Sequence, residues 1–262
     1  MQTNWWENFF HGVALDFWRA AISEEQTRAE ADFIQKQLCL AAGSKVLDAP
    51  CGNGRLSIQL ARSGHQLTGI DIAPEFIAEA IGKASATGVA IAWHERDMRK
   101  LPWTNEFDGA FCFGNSFGYL EDEENAEFIH ALSRSLKTGA RFVLDAPAIA
   151  ECILPHFQPS RSIELGGITV SIEHRYDHAQ GRMFNDFTFR RDGVDDMRPS
   201  SQRIYSYHEL TELLLAAGFE VVNAYGSLAE EPFKLGTPRL LLVSQKLNSP
   251  RINADSANLK GL

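Results

Sequence analysis

The residues best equipped for chemistry sit in one short stretch, Val46-Leu47-Asp48-Ala49-Pro50-Cys51-Gly52-Asn53-Gly54-Arg55-Leu56-Ser57. Gly52-x-Gly54 follows an apolar run and precedes a helical period. Glycine there lets a ligand approach the backbone closely, and the start of a helix supplies N–H groups beside it. Two carboxylates sharpen the signal. Asp71 closes the next apolar run, 19 residues after Gly52, where doubly wound nucleotide-binding folds place the acid that holds ribose hydroxyls. Asp48 stands immediately before the glycine turn.

The charge of Asp48 selects among nucleotides. It would repel a pyrophosphate, whereas it suits a ligand carrying an ammonium or sulfonium group. S-adenosylmethionine carries both, with a ribose and an adenine. A dinucleotide also asks for a third small residue where this chain has Ser57, a poor match. Arg55, at a helix start, opposes the helix dipole and is expected to pair with a ligand or with Asp48. Cys51 reads as a small packed residue. His174 and His178 have helical metal-ligand spacing but fall on a strand and a turn, so they do not share a face and no metal site is expected.

The elements that position these residues follow from periodicity. Short strands are expected at Val46–Asp48, Gln66–Ile70, Val89–His94, Phe107–Phe113 and Ala140–Leu144, with helices at Asn53–Ser63, from Pro74 to about Ser85, and from about Asp122 to Leu136. A helix from Ser206 to Ala217, opened by Ser206-x-x-Glu209, and strands at Phe219–Tyr225 and Arg239–Gln245 complete the set. This is an α/β fold: a doubly wound, mostly parallel, seven-stranded Rossmann-like sheet. Ahead of it, a helix from Glu24 to Leu40, stopped by Gly43, belongs to an N-terminal helical segment. Between Pro147 and Ser206 two runs alternate at period two, Ile168–Tyr176 and Met183–Phe189, with Asp192-Gly193 marking a further turn. They form an antiparallel β insertion after the fifth strand, at the sheet edge where ligands bind, and so are expected to act as a lid. The chain divides into a helical cap (1–42), a cofactor-binding half (43–147), the insertion (148–205), a closing helix and two strands (206–247), and a flexible tail (248–262).

Several motifs in register resemble the class I S-adenosylmethionine-dependent methyltransferases, from about Glu24 to Lys246. Leu47-Asp48-Ala49-Pro50-Cys51-Gly52-Asn53-Gly54-Arg55 is similar to that family's first motif, with Pro50 where Gly is commonest. Thr68-Gly69-Ile70-Asp71-Ile72-Ala73 resembles the second-strand motif with the ribose acid, and Arg96-Asp97-Met98-Arg99-x-Leu101-Pro102 the third-strand motif that holds adenine. Phe107-Asp108-Gly109-Ala110 with Gly114-Asn115-Ser116-Phe117-Gly118-Tyr119 resembles the segment beside the methyl group, and Leu136-Lys137-Thr138-Gly139-Ala140 the family's turn before the fifth strand. The resemblance implies a methyltransferase with cofactor contacts from Asp48, Ala49, Pro50, Gly52, Gly54, Arg55, Asp71, Ile72, Asp97, Met98, Phe113 and Asn115. Tyr119 and His174 are the first candidates for a catalytic base.

Composition narrows the acceptor. With 25 Lys and Arg against 34 Asp and Glu, the chain carries a net charge of −9, which repels nucleic acid and anionic lipid. No run of 18 apolar residues offers a membrane span, and MQTNWWENFF lacks the basic stretch and apolar run of a leader, so none is expected. The four cysteines are scattered, as in a reducing compartment. A cytoplasmic enzyme acting on a small molecule is the reading. An NAD(P)-dependent oxidoreductase on a similar sheet, or a non-catalytic adenosyl-binding protein, are the alternatives. The N-terminal aromatics, among them Phe10, Phe17 and Trp18, are expected either to clasp the sheet or to close over the cofactor. Composition and pattern leave the oligomeric state open.

Overall fold

Apolar runs bounded by glycine and aspartate become the strands of one sheet, and the helical periods between them become its covering layers. The computed structural model describes residues 4–248, so the expected tail falls almost wholly outside the described residues. A 3-10 turn at Trp5–Asn8 leads into α1 (Gly12–Ala21) and α2 (Glu24–Leu38). The α/β succession follows: β1 (Lys45–Asp48), α3 (Arg55–Arg62), β2 (Gln66–Asp71), α4 (Pro74–Thr87), β3 (Ala92–Glu95), β4 (Phe107–Cys112), α5 (Asp122–Ser135) and β5 (Leu136–Asp145). A short α6 (Ala150–Ile153) precedes four strands, β6 (Ser160–Leu165), β7 (Ile168–Asp177), β8 (Arg182–Arg191) and β9 (Val194–Arg203). Then come α7 (Tyr207–Ala216), β10 (Phe219–Tyr225) and β11 (Leu241–Lys246).

The large sheet has the order β10-β11-β5-β4-β1-β2-β3, with β11 antiparallel to both neighbours and the other pairs parallel. The chain winds outward from β1 to β3, returns to β4, and winds the other way. The crevice therefore opens at the carboxyl ends of β1 and β4, just ahead of the glycine turn. Strand alternation fills both faces. Leu47, Ile70, Phe107 and Phe142 pack with Phe128 of α5 and Leu214 of α7, while Val46, Phe111 and Val143 pack with Ile34 of α2 and Leu60 of α3. Truncating one of the fully buried phenylalanines, such as Phe142, costs about 3–5 kcal/mol.

Local signals set the helix ends. Ser206 and Glu209 form the expected capping box on α7, and Glu121 and Glu124 form another on α5. Ala73 gives α4 no side-chain cap, leaving Pro74 to open it. The α2 helix stops earlier than its periodicity suggests: Cys39 adopts a left-handed conformation (φ 52°), and Gly43 shapes the following turn instead. Strand β5 starts at Leu136, four residues before the expected Ala140, because it continues directly from α5.

The insertion is a four-stranded antiparallel sheet, ordered β6-β7-β8-β9, where two strands were expected. The two extra strands lack an apolar alternation for a physical reason. β6 is an edge strand that is largely exposed, and β9 presents Asp196, Arg198, Ser200 and Gln202 on its inner face, with Pro199 tolerated because the strand is the other edge. Trp5, Phe9 and Phe17 pack on Val170, Phe187 and Phe189, so the N-terminal aromatics clasp this small sheet rather than the large one. Arginines pin them there. Arg198 donates to the carbonyls of Phe9 and His11, and Arg191 pairs with Asp16 at 2.8 Å. Arg19 reaches across to Glu79 of α4 at 2.7 Å, so the segment bridges the insertion and the large sheet's helices.

Candidate active site

The glycine turn spends its own amides. Ala49 N–H donates to Phe111 O, Cys51 N–H to Ile70 O, Gly54 N–H to Cys51 O, and Gly52 N–H to Asp71 Oδ2 at 2.8 Å, while Pro50 has no N–H. A pyrophosphate cradle needs those donors free. With these amides committed, the turn itself offers close approach more than backbone donors, and the uncapped start of α3 keeps its first-turn N–H groups. Gly52 (φ 52°) has open space where a side chain would project. Gly54 (φ 75°) is glycine for a different reason: a side chain would sit 2.5 Å from the ring of Trp93. Gly54 and Ala49 are packing and turn residues and do not line the chamber described below, against the expectation that both contact the cofactor.

The two acids flank this turn. Asp71 is 7% exposed and accepts from Gly52 and, through Oδ1, from Ala73 at 2.9 Å. Burial raises its carboxyl to about 6, although those backbone bonds pull the other way. Asp48 is 2% exposed and accepts from Ser57 Oγ at 2.7 Å through Oδ2. Burial raises it to about 8, offset in part by Ser57 and Arg55. Ser57, which stands where a dinucleotide site wants a small packing residue, is thus the partner of this acid. Asp48 Oδ1 has no hydrogen-bond partner among the described residues. A buried acid short of a cation fits an ammonium or sulfonium and opposes a diphosphate.

Arg55 does not pair with Asp48. Its guanidinium meets Glu30 of α2 at 2.6 Å, and Glu30 in turn meets Arg239, which holds Asp145 at 2.7 Å. Asp145 Oδ2 also accepts from Gly114 N–H at 3.1 Å. This buried chain of alternating charges ties α2, α3 and the end of β5 to the loop after β4, and Arg239 lies over the ring of Phe113. Asp97 is bound to Arg99 through both oxygens, at 2.6–3.0 Å. Burial would raise its carboxyl, but the Arg99 bonds more than offset that and hold it below the usual range. Three N–H groups of Arg99 share the two oxygens, so most of the Asp97 charge is committed to Arg99 at the edge of the crevice.

Above the crevice lies a chamber of about 1100 Å³. Asp48, Pro50, Gly52, Asp71, Ile72, Met98, Phe113 and Asn115 line it, together with Arg55 and Asp97. Trp5, Phe10 and Trp18 form part of its wall, so the N-terminal aromatics both clasp the small sheet and close over the crevice. Phe10 touches Phe76 of α4 (5.7 Å between centroids), and Tyr119 meets Trp5 at 4.6 Å. Burial pushes the Tyr119 hydroxyl well above its ordinary value, so it is a neutral donor or acceptor at neutral pH. His174, on β7, faces the far end of the same chamber with Asn185, Ser200 and Gln202. Gln202 Nε2 donates to Phe117 O at 2.7 Å and to Asn115 Oδ1 at 3.0 Å, locking β9 to the loop after β4. Asn185, Ser200, Gln202 and Trp93 were absent from the sequence reading. Period-two alternation carried on from His174 and Met183 would have placed the first of them on the inner face.

Comparison with known proteins shows what this geometry resembles. The methyltransferase domain family matches residues 46–139, which run from β1 to the turn inside β5. That stretch, most of the cofactor-binding half, is similar to a methyltransferase domain. A Geobacillus sp. (strain WCH70) relative, whose name assigns it provisionally to the methyltransferases, is 22% identical over 92% of this chain and 97% of its own length. The ubiquinone biosynthesis O-methyltransferase of Xanthomonas oryzae pv. oryzae is 33% identical over 52% of this chain and 57% of that protein. The solved structure of S-adenosylmethionine-bound CalS10, an amino pentose methyltransferase of Micromonospora echinaspora, superposes with a TM-score of 0.68 and 21% identity over 91% of this chain and 98% of that one. The large sheet, its helices and the β insertion together share the fold of solved S-adenosylmethionine-dependent methyltransferases.

Proposed function

We propose that the protein transfers the methyl group of S-adenosylmethionine to a small-molecule acceptor held between the glycine turn and the β insertion. The observation that carries this is the chamber whose lining joins the buried acids Asp48 and Asp71 to the polar row led by His174. Its volume exceeds what one drug-sized ligand fills, leaving room for donor and acceptor together.

The sulfonium supplies an activated methyl group, so the chain's residues have only to bind, align and exclude water. Asp71 accepts the ribose hydroxyls with the lone pairs that its backbone bonds leave free. Asp48 faces the cationic end. Gly52 admits the ligand against bare backbone, and Ile72 and Met98 give apolar walls to the adenine. Phe113 and Asn115 stand at the methyl end, where Tyr119, neutral and aromatic, lines the passage. His174, across the chamber, receives a proton where the acceptor has one to lose. The N-terminal aromatics exclude water.

The small-molecule reading is supported by the size and lining of the chamber and by the acceptors named for CalS10 and for the ubiquinone enzyme. The net charge of −9 opposes nucleic acid. Among the described residues no helix is long and apolar enough to cross a membrane, and the scattered free cysteines fit a cytoplasmic setting.

Calorimetric titration with S-adenosylmethionine, S-adenosylhomocysteine and NADH tests the donor site, and S-adenosylhomocysteine release against a panel of small acceptors tests turnover. Binding of both adenosyl compounds without NADH is the expected result. Heat from NADH alone would end this reading in favour of an oxidoreductase.

A further inference from the structure

The inner face of the small sheet is divided. At one end Val170 and Ile172 of β7 stand beside Phe189 and Phe187 of β8 and dock on the N-terminal aromatics. At the other end the register aligns His174, Asn185 and Ser200 across β7, β8 and β9. The three are bonded in series. His174 Nδ1 meets Asn185 Oδ1 at 2.7 Å, and Asn185 Nδ2 donates to Ser200 Oγ at 3.2 Å. With its amide nitrogen committed to Ser200, Asn185 turns its oxygen to the ring. In the neutral ring Nδ1 therefore carries the proton, and Nε2 presents its lone pair. Among the described residues Nε2 has no hydrogen-bond partner, and all three side chains line the chamber.

Charge identifies what this row receives. The carboxylates lining the chamber are Glu24, Asp48, Asp71 and Asp97. The three aspartates follow β1, β2 and β3, Glu24 opens α2, and none of the four bonds to His174, Asn185 or Ser200. The row meets Arg161 instead. This residue of β6 is paired in register with Ile172, which makes it a diagonal neighbour of His174, roughly 7 Å away by strand geometry. Arg175, Arg182, Arg190, Arg191, Arg198 and Arg203 each face a carboxylate within 4.0 Å; Arg161 has no partner among the described residues. An ammonium acceptor would find a like charge and no counter-ion there.

We propose that His174, Asn185, Ser200 and Arg161 form the acceptor site, and that the acceptor is a hydroxyl compound bearing an acidic group, a carboxylate or a phosphate. Arg161 pairs with the acid group, and the hydroxyl lies against His174 Nε2. As the hydroxyl oxygen forms its bond to the methyl carbon, the carbon–sulfur bond breaks with its electron pair left on sulfur. The hydroxyl proton passes to His174 Nε2 and leaves from the imidazolium to water. Asn185 is a positioning residue that fixes the ring. This assignment rests on the methyl-transfer reading above.

The test titrates acceptor probes into protein saturated with S-adenosylhomocysteine. The probes are 4-hydroxybenzoate and glycerol 3-phosphate, matched with the amines tyramine and 3-amino-1,2-propanediol. A hydroxy acid is expected to bind at least tenfold more tightly than its amine. Arg161→Gln, an exposed change, should weaken that binding about tenfold and leave S-adenosylhomocysteine affinity unchanged. His174→Gln should keep acceptor affinity within about twofold while slowing methyl transfer on the order of 100-fold. Asn185→Ala should lower kcat without raising the acceptor's KM. Preference for the amines, binding of neither hydroxy acid, or indifference to Arg161→Gln overturns the acceptor class, and full activity in His174→Gln overturns the base. Failure of the unmodified protein to bind S-adenosylhomocysteine is separable from these, because it overturns the methyl-transfer reading itself.

Discussion

Gly52 N–H donates to Asp71 Oδ2 at 2.8 Å, so the glycine of the first motif and the acid of the second are one unit. The sheet places their strands side by side, and the bond fixes the acid's orientation. Removing the carboxylate then has two consequences. Asp71→Ala is expected to weaken S-adenosylhomocysteine binding by about 1–3 kcal/mol through the lost hydroxyl contacts. It should also cost about 1–3 kcal/mol of stability, because the Gly52 and Ala73 amides lose their acceptor. Calorimetry and denaturant unfolding separate the two. A stable protein with unaltered affinity would remove Asp71 from the site.

The two glycines of the turn should fail differently. Gly52→Ala meets only the left-handed backbone penalty, about 1–2 kcal/mol, and places a methyl group where a ligand approaches. Gly54→Ala meets the same penalty and also drives into Trp93, adding about 1–3 kcal/mol of overpacking. The first substitution should therefore lower affinity more than stability, and the second stability more than affinity. Shaving the obstruction with Trp93→Leu should recover part of the loss in the Gly54→Ala protein and none in the Gly52→Ala protein.

That distinction marks where the sequence stops being legible. Wherever burial on one face imposes a period, the elements can be read off, and the large sheet, its helices and the two central strands of the insertion emerge with ends displaced by a few residues. Asp48 and Asp71 are legible because a strand end beside a glycine turn is a fixed place in such a sheet. The purpose of each glycine is not, since the Trp93 that demands Gly54 lies two strands away. Strand β9 escapes because its inner face carries polar side chains, so no hydrophobic period exists to detect. Arg55 and Asp97 look like ligand-facing charges in sequence, while their partners, Glu30 and Arg99, are set by tertiary packing and by a local turn.

Asp48 carries a pH prediction. Burial raises its carboxyl to about 8, so without a cation it is mostly protonated at neutral pH. A cationic ligand favours the charged form and expels the proton. Affinity for S-adenosylmethionine should therefore rise as pH increases from 6 to 8, by at most about tenfold per unit, and level off above. The sign for the free protein is opposite. An acid whose folded value lies above its unfolded one is better protonated in the fold, so stability falls as pH rises across the window from about 4 to 8. Asp48→Asn should flatten both dependences. Titrations in buffers of different protonation enthalpy give the proton release directly; a pH-independent affinity in the unaltered protein would remove Asp48 from the cationic end.

Arg198 tests whether the N-terminal segment works as a cover. Its side chain is nearly buried, at 6% exposed, and one guanidinium nitrogen serves the carbonyls of both Phe9 and His11, holding the segment against β9 from outside the crevice. Arg198→Ala removes those bonds and touches neither the glycine turn nor the acids. The segment's aromatic packing on Phe187 and Phe189 remains, so the fold should persist with a loss of about 1–3 kcal/mol. Loosening the cover should speed S-adenosylhomocysteine release several-fold and leave its association rate nearly unchanged, with trypsin cleaving at Arg19 sooner. Stopped-flow displacement and timed proteolysis measure both. If release and cleavage match the unaltered protein, the segment is held by its aromatics alone, and the arginine contacts contribute stability without governing access.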